Sequence, residues 1–526
     1  MNIRRFFFSL IAAACALSSM SQSSDAVVRD KMTSAVMKVY DDHLAQNPGD
    51  YNVLFARGHQ HFYNGDYTAA LADVNQAMKL TPVSDKELRF DEYILRARIS
   101  DARQDYISEL ADLRMAQELQ PKSLGCTDMI AKANLKAGNL PAAEKAFKTI
   151  LRAESKNYDA MYGLAQVELS RGNVKEAVSQ VSKAVALFRA EPQVYVNRAD
   201  IYARQGNITA AVDDLLTGMS VGDGGIAAQS LFELSDKHYD DVMKSLEDLA
   251  NRNATEGGTY RYLRANVAID HNRFNQAMAD LTRIKSEHLY DSPSVDYNLA
   301  KCCLELARYD EAIAHVDKAL NADPLEPEFY IVKSLAEYYV GDGGRAEAAM
   351  EALDRCSLSF PQYVPMLMAK AALLSNQGKD KEALGYLNAA VANEPGNAEA
   401  LYSRALVLKR LGMDLLANRD LNTIVQQNDD VYYLKGLALN EMGRDGEAFR
   451  WLSGATMSNQ PGGENYYYAA LLMAKRGDGF KALEFLRNAV NNGYGSVHRL
   501  HHDVLSPATL QSLRKEPGFE QLKIRD

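Results

Sequence analysis

The sequence predicts an all-α protein, an α-α superhelix built as a right-handed solenoid of antiparallel helix pairs. Three observations carry that expectation. Gly138, Gly172 and Gly206 stand 34 residues apart, and Ala143, Ala177 and Ala211 keep the same interval just downstream. A fixed period of this size marks one supersecondary unit stacked many times. Within each period apolar residues recur at i, i+3, i+4 and i+7, the signature of amphipathic helices, while the alternating runs that signal strands are hard to find.

Residues 1–21 read as an export signal. Arg4 and Arg5 give the positive start, Phe6 to Ala16 the apolar stretch, and Ser19-Met20-Ser21 a small-residue cleavage site. The apolar stretch is too short for a spanning helix, and no later segment approaches the required length. Cys15, preceded by three alanines, opens an alternative in which the protein is a membrane-anchored lipoprotein. The residue three before it is Ala12 rather than the Leu that bacterial lipoprotein signals favour, so the soluble exported form is preferred. Residues 22–50 then supply an N-terminal capping helix, amphipathic over 25–46.

The stretch from Tyr51 to Pro82 shows what one unit needs. A helical pattern starts near Val53, passes Gly58 and breaks at Asn64-Gly65-Asp66. A second helix runs from Tyr67 through Ala70, Leu71, Val74, Ala77 and Leu80, then stops at Thr81-Pro82. Asn64-Gly65-Asp66 offers a glycine for left-handed geometry followed by an N-cap aspartate. Pro82 lacks the N–H that would continue the helix, and Pro48, Pro324, Pro361 and Pro395 recur at equivalent places.

The first helices carry a small residue once per unit: Gly58, Ala97, Ala131, Ala165, Ala199, Ser230, Ala265, Ala300, Ala336, Ala371, Ala405, Gly436 and Ala470. The second helices carry an early Ala, such as Ala70, Ala143, Ala177, Ala383 and Ala417, with Glu109 and Val242 as exceptions. Small residues at a crossing let two helix axes approach closely, and larger ones force them apart. In these positions the chain resembles the tetratricopeptide repeat (TPR) family, over about thirteen units between residues 51 and 495. Units 1–5 span 51–225 and units 7–13 span 259–495. Residues 226–258 lack the Gly turn and the early Ala, and follow Gly222-Asp223-Gly224-Gly225, so they read as a degenerate unit and a candidate hinge. Residues 496–526 read as C-terminal capping helices.

A formal charge of −10 argues against broad affinity for nucleic acid or anionic membranes. The search for chemistry is negative: there is no P-loop, no H-E-x-x-H and no G-x-S-x-G elbow. Cys126, Cys302, Cys303 and Cys356 form no C-x-x-C pair and read as buried, inert thiols. His498, His501, His502 and Asp503 place two imidazoles on one helix face, but the set is incomplete and reads as a solvated cap surface. Neither a catalytic site nor a metal or other cofactor is expected.

For binding, the sequence singles out Phe55, Tyr162, Tyr262, Tyr297, Tyr402, Tyr433 and Tyr467, each three residues before the small crossing residue. The TPR resemblance places this position on the inner, concave surface, where stacked units would align the rings. A tyrosine offers a rigid apolar face plus a hydroxyl, suited to a peptide backbone or a sugar. The same position also serves packing between units. The expectation is a non-enzymatic scaffold in the periplasm or cell envelope of a bacterium, serving envelope assembly, secretion or a surface complex. It would hold a protein or peptide partner in its concave groove. The alternative is a carbohydrate-binding envelope protein that stacks sugars on the same tyrosines.

Overall fold

A computed structural model describes residues 36–222, 224–253, 256–340, 345–427, 432–457, 463–496 and 519. Every regular element among them is a helix. After a helix at 36–46, twelve antiparallel pairs and one interrupted helix follow in chain order, giving the thirteen units that the period predicts. The proposed signal at 1–21 and the caps beyond residue 496, Phe519 apart, lie outside the described residues.

Unit 1 pairs Tyr51–Tyr63 with Tyr67–Leu80. Asp50 caps the first helix by accepting from the backbone N–H groups of Asn52 and Val53, and Asp66 caps the second by accepting from Ala69. Between them Gly65 turns through φ +77°, a left-handed conformation that costs glycine little. Gln104, Asn272 and Ala307 take the equivalent turn in units 2, 7 and 8 with φ of 59°, 57° and 57°, so the turn geometry outlives its glycine. The crossing explains the small residues: a Cβ on Gly58 would meet Val74 Cγ2 at 3.0 Å and Asp73 Cβ at 3.2 Å.

A recurring ion pair joins the two helices of many units. The residue just before the crossing residue is an arginine, and sixteen residues later stands an aspartate. Arg57 donates Nε and Nη2 to the two carboxylate oxygens of Asp73 at 2.7 Å each. Arg96 does the same to Asp112, Arg198 to Asp214 and Arg404 to Asp420, all at 2.6–2.8 Å. These aspartates are buried, and a two-pronged guanidinium satisfies both oxygens at once. In units 10 and 12 the aspartate is replaced by Tyr386 and Trp451. The cation is then a lysine over the ring, Lys370 at 5.6 Å and Lys435 at 4.9 Å from the centroids.

The described residues form two compact units, one ending at Leu231 and one beginning at Phe232. The division falls inside the helix Gly225–Arg252, the degenerate unit of the sequence, whose backbone leaves helical geometry at His238 (φ −139°, ψ 46°). The second compact unit also touches itself end to end. Tyr494 is buried and stacks on Tyr467 at 4.6 Å, Gly495 lies against the carbonyl of Asn272, and Ser496 donates to the Glu305 carboxylate. The turn after its last helix pair therefore rests on its first two. Cys126, Cys302, Cys303 and Cys356 are free and buried, as expected, and burial pushes the Cys126 thiol up to about 11.

Candidate functional site

The aromatic series does not form one open ladder. Tyr262, Tyr402 and Tyr467 are 4%, 0% and 0% exposed, which corrects their assignment as partner-contacting residues. The first helix of the next unit closes over Tyr262 and Tyr402, and Tyr494 in the turn after the last pair closes over Tyr467. Tyr402 and Tyr467 belong to one core that runs through units 9–13, and the Tyr262 hydroxyl accepts from Asn298 on the next unit. Tyr297 packs on the Phe329 ring at 4.8 Å, and Phe55 packs beside Leu95 and Ile99 of unit 2; both are partly buried. The side chain of Tyr433 lies outside the described residues, as do His498, His501, His502 and Asp503. With Tyr402 enclosed, that ring is closed to a sugar.

Tyr162 is different. It lines a groove of about 1000 Å³ formed by the first helices of units 3, 4 and 5, Leu124–Lys136, Tyr158–Ser170 and Pro192–Arg204. Three features shape the wall around Tyr162. Gly163 follows Tyr162, and the Phe147 ring occupies the place a larger side chain would need. The Tyr162 hydroxyl donates to Asp200 at 2.8 Å, which tethers the ring to unit 5 and leaves it partly exposed. Burial, followed by the nearby Asp200 charge, holds that phenol well above its ordinary range, so it stays a neutral donor. The floor also carries the amides Gln166, Gln193 and Asn197, the last two joined at 2.9 Å.

Charge around the groove is mixed. Lys132, Lys136 and Arg204 line it, but each already faces an acid: Asp128 at 2.7 Å, Asp101 at 2.5 Å and Asp200 at 3.0 Å. An exposed pair of this kind contributes little to stability and can exchange partners at low cost. The lining offers amide donors and acceptors, one aromatic face and exchangeable ion pairs. These groups suit an extended polypeptide, whose backbone presents alternating N–H and C=O groups. Sequence reasoning singled out Tyr162 but not the groove, because its lining comes from helices of three successive units.

Elsewhere the polar residues near the C-terminal tyrosines form closed pairs. Lys409 and Lys475 both reach Glu441, and Arg410 reaches Asp380 at 2.9 Å. They do not make an all-basic clamp.

Residues 129–192 and 268–335 match models of the tetratricopeptide repeat. The chain is 23% identical over 312 residues to DnaJ homolog subfamily C member 3 of Gallus gallus, an overlap of 52% of this chain and 60% of that protein. The chain thus spans less than two thirds of that relative's length. Among solved structures it is similar to Naa15/Naa10 bound to HypK-THB, at 13% identity and TM-score 0.35 over 96% of this chain and 97% of that one. It is also similar to TTC0263, a thermophilic TPR protein of Thermus thermophilus, at 19% identity and TM-score 0.32 over 35% and 98%.

Proposed function

We infer that this tetratricopeptide-repeat protein is a non-catalytic scaffold that holds an extended segment of a protein partner across units 3–5. The observation that carries the reading is the groove beside Tyr162, with Gln166, Gln193 and Asn197 on its floor. Affinity would come from many modest contacts spread over rigid helix pairs, with the tyrosine ring as the apolar anchor. The mixed charge favours a partner segment that carries both signs or none, and disfavours a free C-terminal carboxylate as the main determinant.

The test is site-specific photo-crosslinking in cells. A crosslinker at Gln193 should capture a discrete protein, and one at Lys183, exposed on a second helix of the same stack, should not. Capture from Lys183 alone would place the partner on the outer face and sink the proposal. The pair Gln193→Ala and Asn197→Ala should abolish capture while leaving the helical circular dichroism unchanged.

Export is part of the same proposal and rests on Arg4, Arg5, the apolar run to Ala16 and Ser19-Met20-Ser21. The mature protein would then work in the envelope of a bacterium, in assembly, secretion or a surface complex. N-terminal sequencing of the mature protein should begin at Gln22. A lipid label on Cys15 would replace the soluble form by the anchored one.

A further inference from the structure

One polar group in the second compact unit is buried with nothing to bind. His271 caps the helix Gly257–Asp270 and is 5% exposed. Its Nδ1 lies 3.0 Å from the Val267 carbonyl oxygen, a contact that requires the proton on Nδ1, so that in the neutral ring Nε2 carries the lone pair. That Nε2 is buried and has no hydrogen-bond partner. It faces Asp236 Oδ1 at 3.7 Å, too far for a hydrogen bond. One donor atom each from Asp236, Asp270 and His271 lie within 4.8 Å of one another.

We propose that Asp236, Asp270 and His271 bind a divalent transition-metal cation, zinc or cobalt being the best suited. Two donors held about 2.0–2.2 Å from a tetrahedral ion stand roughly 3.4 Å apart, so Asp236 needs only a small approach to Nε2, while the Asp270 carboxylate, 3.8 Å from Nδ1, must turn toward the same ion. The Nδ1–H bond to a backbone carbonyl is the arrangement that fixes a histidine for ligation through Nε2. Two carboxylates neutralise the ion, and the C-terminal end of the helix Gly257–Asp270 adds its negative dipole. Glu233, one turn before Asp236, adds a further negative charge, while Lys237 and Arg273 oppose it from the rim. The Tyr239 ring, 4.6 Å from the imidazole, shields one face, and the exposed carboxylates leave an entry path and a position for water. Asp236 lies two residues before the break at His238, so the ion would tie the interrupted helix to the turn between the two helices of unit 7.

The test uses the full-length protein, stripped with chelator and titrated with Co²⁺ by visible absorption and with Zn²⁺ by calorimetry. One equivalent should bind, with tetrahedral cobalt bands. Asp236→Asn and His271→Gln should each weaken binding at least tenfold, whereas Asp248→Asn, on the same helix, should not. Asp236 is exposed, so its variant reads the site even where His271→Gln disturbs folding. The absence of saturable binding overturns the proposal. So does binding that survives Asp236→Asn but is lost when His498, His501 and His502 are all changed to Ala.

Discussion

In the stack that ends at Leu231, Tyr162 keeps part of its ring toward an open groove. In the stack that begins at Phe232, Tyr402 and Tyr467 hold the same repeat position and have no exposed surface. The difference lies in the neighbours. Tyr162 is followed by Gly163 and tethered sideways to Asp200. Tyr402 sits in a continuous core with Leu367, Leu401, Leu408 and Leu437. One repeat position can thus be left partly open or fully enclosed, according to what packs around it.

The sharpest way to break that comparison is to truncate both rings. Tyr402→Ala should cost about 3–5 kcal/mol, because a large side chain leaves a cavity that a continuous core cannot refill. Tyr162→Ala should cost only about 1–2 kcal/mol, one hydrogen bond and a partly solvated ring, yet reduce partner capture. Urea melts of the two variants read the contrast, and equal losses would mean that Tyr162 is simply another core residue.

A second experiment separates the stacks by pH. Glu109 replaces the early Ala of unit 2 and is 4% exposed, with Oε2 unpartnered. Burial, and then the Asp101 charge, push its carboxyl from 4.5 up to about 7, against the opposing pull of Lys136. The folded state holds the proton more tightly than the unfolded chain, so stability falls as pH rises between those two values. In the other stack burial moves Asp280 from 3.8 to about 6, which sets a lower window. Glu109→Gln should flatten the dependence of melting temperature on pH from about 4.5 to 7, most plainly above 6, and leave the Asp280 contribution below 6 in place. An unchanged slope above pH 6 would mean that the Glu109 site is wetter than its burial implies.

The smallest effect concerns the turns. Ala307 turns with φ +57° where Gly172 turns with φ +81°. Ala307→Gly should stabilise its stack by about 0.5–1 kcal/mol, and Gly172→Ala should destabilise the other by a similar amount. Thermal melts in which both changes act in the same direction would contradict the shared geometry.

Much of this architecture was legible in the chain. The 34-residue interval, the Asn64-Gly65-Asp66 turn and the thirteen small crossing residues placed the helix pairs, because each reports a local requirement of a helix or a close approach. Residues 226–258 stood out by their missing Gly turn and early Ala, and the helix Gly225–Arg252 within that stretch leaves helical geometry at His238. The Arg–Asp pairs could have been read from an arginine just before the crossing residue and an aspartate sixteen later, as in Arg198 and Asp214. Burial of the tyrosines was not legible, since it depends on how tightly the next unit closes. The unsatisfied nitrogen of His271 was hidden for a related reason: Asp236 is 35 residues away in the chain.

The contact between Ser496 and Glu305 spans 191 residues of chain, where the Arg–Asp contacts within a unit span 16. A stack held only by neighbouring contacts can begin folding anywhere, fray from its ends, and gain or lose a copy of its unit by duplication or deletion. A stack whose end rests on its beginning has one slow, distant contact to form last. It also has a fixed number of copies, because inserting or removing one would carry Ser496 away from Glu305. The Ser496–Glu305 contact therefore ties the second stack to the count of units it has.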